Sequence, residues 1–450
     1  MSRGEHRAAT APAGATALCA PVAVTVDGTT AGAVIDGHTV ATAIAVWGTP
    51  YVPTLLHPHR AETPNTLPIS VVAEQMQRHG LAVDVDVICE GRRTARDNYA
   101  ELYQTFLGGR PAAGQRSTTL LVRLDTRAAD TVSGLLWRRD SVSAALAATC
   151  RIARALNQAG CRAQVLTGAQ IREATLASLG GRDGLTANYR DQWTRLYTGK
   201  GYVTSYFFSP ADVAAATLDD VWSYPADHTT LIVALRRAHS AVCASAMVRF
   251  RTVQPLASSP ALILNRLTGR QWDALAQTLP GRARLRLPSA PLGADLDRAV
   301  VIGSSGVLLG KFKDAMFLMP LSDPAAPTRI ALRVDNDKAV RQLIRRAAAV
   351  GEQVAVYDAS GHWTMTAGSA RIWTSRDPNA QPPRPPTVVV HNGRTNPYPG
   401  ARTSVAVGGT DIGTSDILIE QVKDRIHLQT HRFQTRLDAI TFRNEESYLR

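Results

Sequence analysis

The chain has 450 residues, too many for one ordinary core, so two or three domains are expected. Hydrophobic residues make up 45% and charged residues 19%, which excludes an intrinsically disordered chain. The 50 Lys+Arg against 37 Asp+Glu leave a formal charge of +13, a field suited to anionic lipid, an acidic partner or nucleic acid. The basic residues are scattered arginines that do not alternate with aromatics, which argues against stacking on single-stranded nucleic acid. No stretch reaches the roughly 20 apolar residues of a membrane-spanning helix. The best window, Ala31 to Trp47, is broken by Asp36, Gly37 and His38.

In chain order, residues 1–20 carry Arg3 and Arg7 but no Leu-rich centre of a signal peptide, and read as a flexible tail. Val22–Val26 and Ala33–Trp47 flank Asp27-Gly28 and Asp36-Gly37, which predicts a β-meander. Ile69–His79 has helical spacing with Gly80 as its stop, and Val83–Ile88 alternates as a strand. Asp97 caps a helix over Asn98–Leu107, followed by a strand over Ser117–Asp125. The clearest helix spans Ser141–Ala159 and ends at Gly160; a strand at Cys161–Leu166 and a helix capped by Thr167 follow. This β–α–β–α order predicts a mixed, largely parallel sheet with helices on its faces, an α/β fold. Tyr202–Phe208, Leu231–Leu235 and Ala241–Arg251 are further strands, and Ser209-Pro210 opens a helix through Trp222.

Residues 21–254 are therefore expected to form an α/β core domain with an N-terminal meander. A second, smaller α/β region covers 255–377, with a helix over Leu262–Leu279, a basic proline-bounded loop, and a strand–helix–strand unit from Arg329 to Tyr357. Residues 378–386 read as a proline-rich linker, and 387–450 as a β-rich appendage.

The motifs do not converge on a catalytic or cofactor site, and no catalytic, cofactor or metal residue is assigned. The segment Gly303 to Lys311 (GSSGVLLGK) approaches a phosphate loop, but three residues, not four, separate Gly306 from Gly310, and Phe312 stands where a hydroxyl should hold magnesium. It reads as a glycine turn. Asp335-Asn336-Asp337 lacks the Gly and Glu of a calcium loop and suits an N-cap. His57 and His59 have no third ligand near them in sequence and read as loop residues. The five cysteines, Cys19, Cys89, Cys150, Cys161 and Cys243, form no CxxC pair and read as reduced core thiols of a cytosolic compartment. No GxSxG or SxxK places a serine nucleophile. Asp125, Asp140, Asp191, Asp219 and Asp220 are each lone carboxylates, read as caps or solvated groups. Asp84-Val85-Asp86 is the only good match to a metal-binding DxD, and its alternation reads as a solvated strand face. Trp193, Tyr202, Tyr206, Phe207, Phe208 and Trp222 cluster in sequence, as core or as a subunit-contact surface.

Taken together, several stretches resemble one family, EccE, a membrane-complex component of the type VII (ESX) secretion system of mycobacteria and related actinobacteria. They are Leu67–Met76 (LPISVVAEQM), Gly91–Thr94 (GRRT), Thr119–Asp125 (TLLVRLD), Ala147–Gly168 (AATCRIARALNQAGCRAQVLTG), Gly201–Val213 (GYVTSYFFSPADV), Asn265–Gln271 (NRLTGRQ), Gly303–Lys311 and Leu318–Pro320 (LMP). No single stretch is diagnostic; their order and spacing carry the resemblance. It implies a non-enzymatic assembly subunit that stabilises an inner-membrane export machine, with the other secretion components, including the motor ATPase, as partners. Cofactor, nucleic acid and small-molecule substrate are not expected; the basic charge agrees with a surface near anionic lipid. Family members normally begin with two transmembrane helices, whereas this sequence starts at the soluble region, so the expected place is the cytosolic face of the inner membrane. Two other readings stand beside it: a glycosyltransferase-like enzyme binding a sugar nucleotide through Asp84 or Asp86, and a basic nucleic-acid-binding protein.

Overall fold

A computed structural model of the chain describes residues 9–10, 20–26, 28–180, 189–238, 241–283, 285–365, 368–408 and 415–450. The strands fall mainly into two large sheets, each with its own apolar core.

The first sheet opens with β1 (Val22–Val26), β2 (Thr29–Asp36) and β3 (Thr39–Trp47). Gly37 supplies the left-handed φ of 60° that the tight β2–β3 turn requires. There follow α1 (Ile69–Gln75), β4 (Asp84–Arg92), α2 (Asn98–Leu107), β5 (Gln115–Asp125), α3 (Ala129–Leu135) and α4 (Ser141–Gln158). Then come β6 (Arg162–Val165), α5 (Gly168–Leu179), β7 (Tyr202–Phe208), β8 (His228–Ala238), β9 (Ala241–Thr252) and α6 (Gln271–Ala276). The strands run in the order β7-β9-β8-β4-β5-β3-β2-β1, with β6 alongside β3, and every one of these pairings is antiparallel.

This overturns the expected largely parallel sheet flanked by helices. The β5–helix–β6 crossover does exist, and its two strands do run parallel. However, β3 lies between them, antiparallel to both. Periodicity identifies strands joined by a crossover but not the strand that slips between them. α4 covers one face of this sheet, burying Leu146, Ile152 and Leu156. Each such side chain contributes roughly 1.5–3 kcal/mol by leaving water. The helix begins where Asp140 accepts a 2.7 Å hydrogen bond from the Ser143 amide.

The second sheet contains β10 (Val307–Phe312), β11 (Ala315–Met319), β12 (Thr328–Val334), β13 (Val354–Tyr357), β14 (Ile372–Ser375), β15 (Val388–His391), β16 (Thr403–Val407), β17 (Ile417–Val422), β18 (Arg425–Thr430) and β19 (Gln434–Asp438). Their order is β14-β13-β15-β16-β12-β17-β18-β19-β10-β11, followed by Thr54–Leu56 and, at the edge, Ala61–Glu62. From β14 to β17 the pairings are parallel, and beyond β17 they are antiparallel. Among the described residues parallel pairing is thus confined to this sheet, where α7 (Asp337–Ala349) carries the crossover from β12 to β13. Strands from 255–377 and from 387–450 share this one sheet. α2, from the first half of the chain, adds Tyr99, Tyr103 and Phe106 to its core.

One ion pair is sealed inside the second core. Glu445, fully buried, accepts hydrogen bonds of 2.9 Å from Arg346 Nε, Arg346 Nη2 and Gln342 Nε2. Burial pushes the Glu445 carboxyl up, but Arg346 and these hydrogen bonds outweigh it and hold the group below its ordinary range. The pair fastens the C-terminal residues to α7.

Candidate functional site

A cleft of about 830 Å³ lies on the face of the first sheet opposite α4. Alternation along β4 builds it. Val85, Val87 and Cys89 point into the core beneath α4, while Asp84, Asp86, Ile88 and Glu90 point to the other face. Arg123 from β5, Arg236 from β8 and Arg249 from β9 share that face, and α6 with the chain to Ser289 forms its roof.

Two layers of buried charge join floor to roof. In the first, Asp86 accepts hydrogen bonds from Arg123, from Arg236 and, at 2.7 Å, from Gln277 Nε2. Arg123 also donates to the carbonyls of Gly281 at 2.7 Å and Gln277 at 2.8 Å. In the second, Arg249 lies 3.4 Å from Glu90 and donates to Thr278 Oγ1 at 3.0 Å and to the Leu275 carbonyl. The arginines thereby satisfy carbonyls left open at the C-terminal end of α6, where a positive charge is favourable. Burial lowers Arg123 to about 9 and Arg249 to about 10, so both stay charged at neutral pH.

At the mouth, Arg237 sits 3.7 Å from Asp130, Arg270 sits 3.5 Å from Asp273, and Arg282 and Arg286 are exposed. Such a rim can receive an anion. Proton transfer is less well served. His38 Nε2 lies 3.8 Å from Asp125 Oδ2, and among the described residues no hydrogen bond joins His38 to Cys243 or Ser245, which also line the cleft.

The DxD pair differs from the solvated strand face read from its alternation. The Asp84 side chain is 42% exposed, whereas that of Asp86 is 0% exposed and is held between two arginines. Burial outweighs Arg236 and pushes the Asp84 carboxyl up. Among the described residues, no group of three or more His, Cys, Asp or Glu is placed to hold a metal.

The glycine segment lies elsewhere, beside a recess of about 330 Å³ between the sheets. Gly303 and Gly306 take φ of 77° and 82°, and a Cβ on Gly306 would lie 2.0 Å from the Met319 carbonyl carbon. The Ser305 amide donates to the Ala113 carbonyl at 2.8 Å and the Gly306 amide to Ser304 Oγ at 2.9 Å. Amides that would cradle a phosphate are thus spent within the protein.

The other residues singled out from the sequence are dispersed. Asp140 caps α4 and Asn336 caps α7, while Asp335 accepts from the Lys423 amide at 2.7 Å and Asp337 from Trp363 Nε1 at 3.0 Å. Asp125 accepts from the Arg127 amide. Asp219, pushed up to about 6 chiefly by burial, accepts from the Ala61 amide at 3.3 Å. Asp220 takes the Tyr224 hydroxyl at 3.1 Å, and burial raises Asp191. His57 Nε2 lies 3.5 Å from Glu62, and His59 is exposed. Cys89 and Cys161 are buried and Cys150 and Cys243 half-buried, none of the four in a disulfide; Cys19 lies outside the described residues. Tyr206, Phe208 and Trp222 are core, Tyr202 and Phe207 are half-buried, and Trp193 is exposed. Arg123, Arg236, Arg249 and Gln277, which hold the roof, were not singled out. A charge inside an apolar run, as in Leu120-Leu121-Val122-Arg123-Leu124 and Ala246-Met247-Val248-Arg249-Phe250, is a signal that could have found two of them.

Among the described residues, no helix is long and apolar enough to cross a membrane. Residues 112–208, from β5 to β7, match the family described as a putative type VII ESX secretion system translocon, EccE. Over 303 residues the chain is 29% identical to the ESX-2 secretion system protein EccE2 of Mycobacterium tuberculosis, a match covering 66% of this chain and 54% of that protein. Over 254 residues it is 31% identical to the ESX-5 secretion system protein EccE5 of Mycobacterium marinum, covering 52% and 62%. The ESX-1 secretion system protein EccE1 of M. tuberculosis is 26% identical over 315 residues, covering 68% and 60%. The chain therefore spans only about 54–62% of the length of these curated relatives. Over these stretches it is similar to EccE proteins, which are components of the ESX type VII secretion systems of mycobacteria.

Proposed function

We propose that this chain is a non-catalytic assembly subunit of a type VII secretion membrane complex, placed at the cytosolic face of the cell membrane. Its partners are the other membrane components, the motor ATPase among them. The relationship to EccE proteins supports the setting. The observation that carries the non-catalytic reading is the fate of Asp86: the most promising carboxylate in the sequence is sealed between Arg123 and Arg236 and holds a roof onto a sheet. Spent charges of this kind build a rigid scaffold, and scaffolds act by contact.

The test is affinity purification of the tagged chain from detergent-extracted membranes. The expected result is recovery of the other secretion components together with the ATPase, and loss of substrate export on deletion of the gene. Recovery of the chain alone, with export intact in the deletion strain, would overturn the proposal. The sugar-nucleotide alternative has a separate check: calorimetric titration with nucleotide sugars and Mn²⁺ should give no heat of binding.

A further inference from the structure

Part of the apolar surface of α3 and the turn after it faces away from the core. Its buried positions are the small Thr131 and Gly134, and Gly134 sits so close to Gly80 that a Cβ there would lie 2.0 Å from the Gly80 carbonyl oxygen. Leu135 packs partly on the core. Val132 and Leu136, four residues apart on one helix face, are instead 45% and 78% exposed, and the adjoining Trp137 is 89% exposed. A helix held only by packing would turn these residues inward, so this outward group is a surface in its own right.

The charge beside it is predominantly basic. Arg138 and Arg139 follow Trp137 in the chain, and Arg78 and Arg151 lie near enough to Arg138 for their charges to act together; among the described residues no salt bridge joins any of the four to a carboxylate, and Arg139 acts on Asp140 only through its field. Arg138 donates to the carbonyls of Gly134 and His79, Arg151 to that of Gln75 at 2.9 Å, and Arg78 to that of Glu74 at 3.1 Å. The Arg151 guanidinium is held below its usual range by burial and then by Arg138 and Arg78. Of the nearby acids, Asp130 faces Arg237, Asp140 is spent on capping α4, and Glu74 is exposed.

We propose that α3 and the Leu136–Arg139 turn form a docking knob for a lipid surface with anionic headgroups, Leu136 and Trp137 entering the interfacial layer and the arginines meeting phosphates. A Trp–Leu tip flanked by arginines matches both halves of such an interface. An acidic protein groove would match the charge alone. The inference rests on the membrane-face placement proposed above for its setting, but its chemistry is carried by this chain.

The experiment is flotation of the full chain with phosphatidylcholine vesicles, with or without an equal part of phosphatidylglycerol. The chain should float with the anionic vesicles only. Leu136→Ser with Trp137→Ser should weaken binding about tenfold, from the apolar area no longer inserted. Arg139→Gln should weaken it about fivefold, the equivalent of about 1 kcal/mol for one basic residue at an anionic surface. Unchanged circular dichroism and melting confirm that these exposed positions leave the fold intact. Equal binding to neutral vesicles, undiminished binding by the Leu136/Trp137 variant, or a Trp137-dependent dimer in light scattering would each overturn the knob. Flotation without co-purification of secretion components would sink the assembly proposal and leave the knob standing; the reverse outcome would do the opposite.

Discussion

Both halves of the molecule bury arginine beside carboxylate, in different surroundings. In the first sheet Asp86 is shared by Arg123 and Arg236; Arg123 is 3% exposed, but Arg236 is 24% exposed at the cleft. In the second core Arg346 and Glu445 are 2% and 0% exposed. The first network has a route to water and holds a roof that forms one wall of an open recess. The second has none, and it ties the last residues of the chain to α7. The contrast teaches that a buried ion pair should be judged by what its survivor can do when the partner is lost.

Removing the partner in the dry core should have the largest effect. Glu445→Gln leaves Arg346 charged among Leu308, Ile440 and Tyr99 groups, and should cost about 3–5 kcal/mol of stability. Thermal unfolding followed by calorimetry reads this loss; a melting point within a degree or so of wild type would refute the argument. The same pair makes the second core acid-sensitive. Its carboxyl is depressed in the folded state, so its stabilisation is full above the ordinary carboxylate range and disappears as pH falls through the folded value.

Asp86→Asn should be milder, about 1.5–3 kcal/mol, because Arg236 can turn toward the cleft and Asp84 remains beside it. Its signature is local. Hydrogen exchange should rise in residues 271–281, the roof that Arg123 and Gln277 hold, and stay unchanged in α7. Exchange rising in both places alike would erase the distinction between the networks.

A third effect appears only in acid. His228, at the seam recess, is lowered to about 3 by burial and by the cations of Arg251, Arg249 and Arg92. In the unfolded chain it takes a proton near its ordinary pKa, so the unfolded state binds more protons below that point. Stability is therefore retained above about pH 6.5 and falls progressively toward pH 3. His228→Asn should flatten that limb of a urea-midpoint profile while leaving the plateau above it in place; a parallel profile would show that the histidine is not responsible.

How far the sequence reached depended on the distance between partners. The β2–β3 hairpin, the α4 helix and the β12–α7–β13 unit were readable because turn, cap and periodicity lie within a few residues of one another. The Leu262–Leu279 stretch misled: Gly269 adopts a φ of 74°, so a short strand at Leu264–Arg266 and the six-residue α6 replace one long helix. Asp86 was legible as an unusual carboxylate but not as a buried one, since Arg236 and Gln277 stand 150 and 191 residues away. The placement of β3 between β5 and β6, which makes the first sheet antiparallel, likewise joins residues far apart in sequence.

The smallest effect sharpens the comparison most. Asp140→Ala removes the N-cap of α4, which lies wholly on the first sheet, and should cost about 1 kcal/mol. If the sheets open independently, this variant raises exchange in β3, β5 and α4 while α7 keeps its protection, and Glu445→Gln gives the mirror image. The recess between the sheets favours that outcome, but contacts cross the seam. Arg162 donates to both Asp323 carboxylate oxygens at 2.8 and 2.9 Å, and α2 sits in the second core although its neighbours in sequence belong to the first. Should Asp140→Ala loosen α7 as much as α4, these crossings outweigh the recess, and the two ion-pair networks serve one cooperative unit.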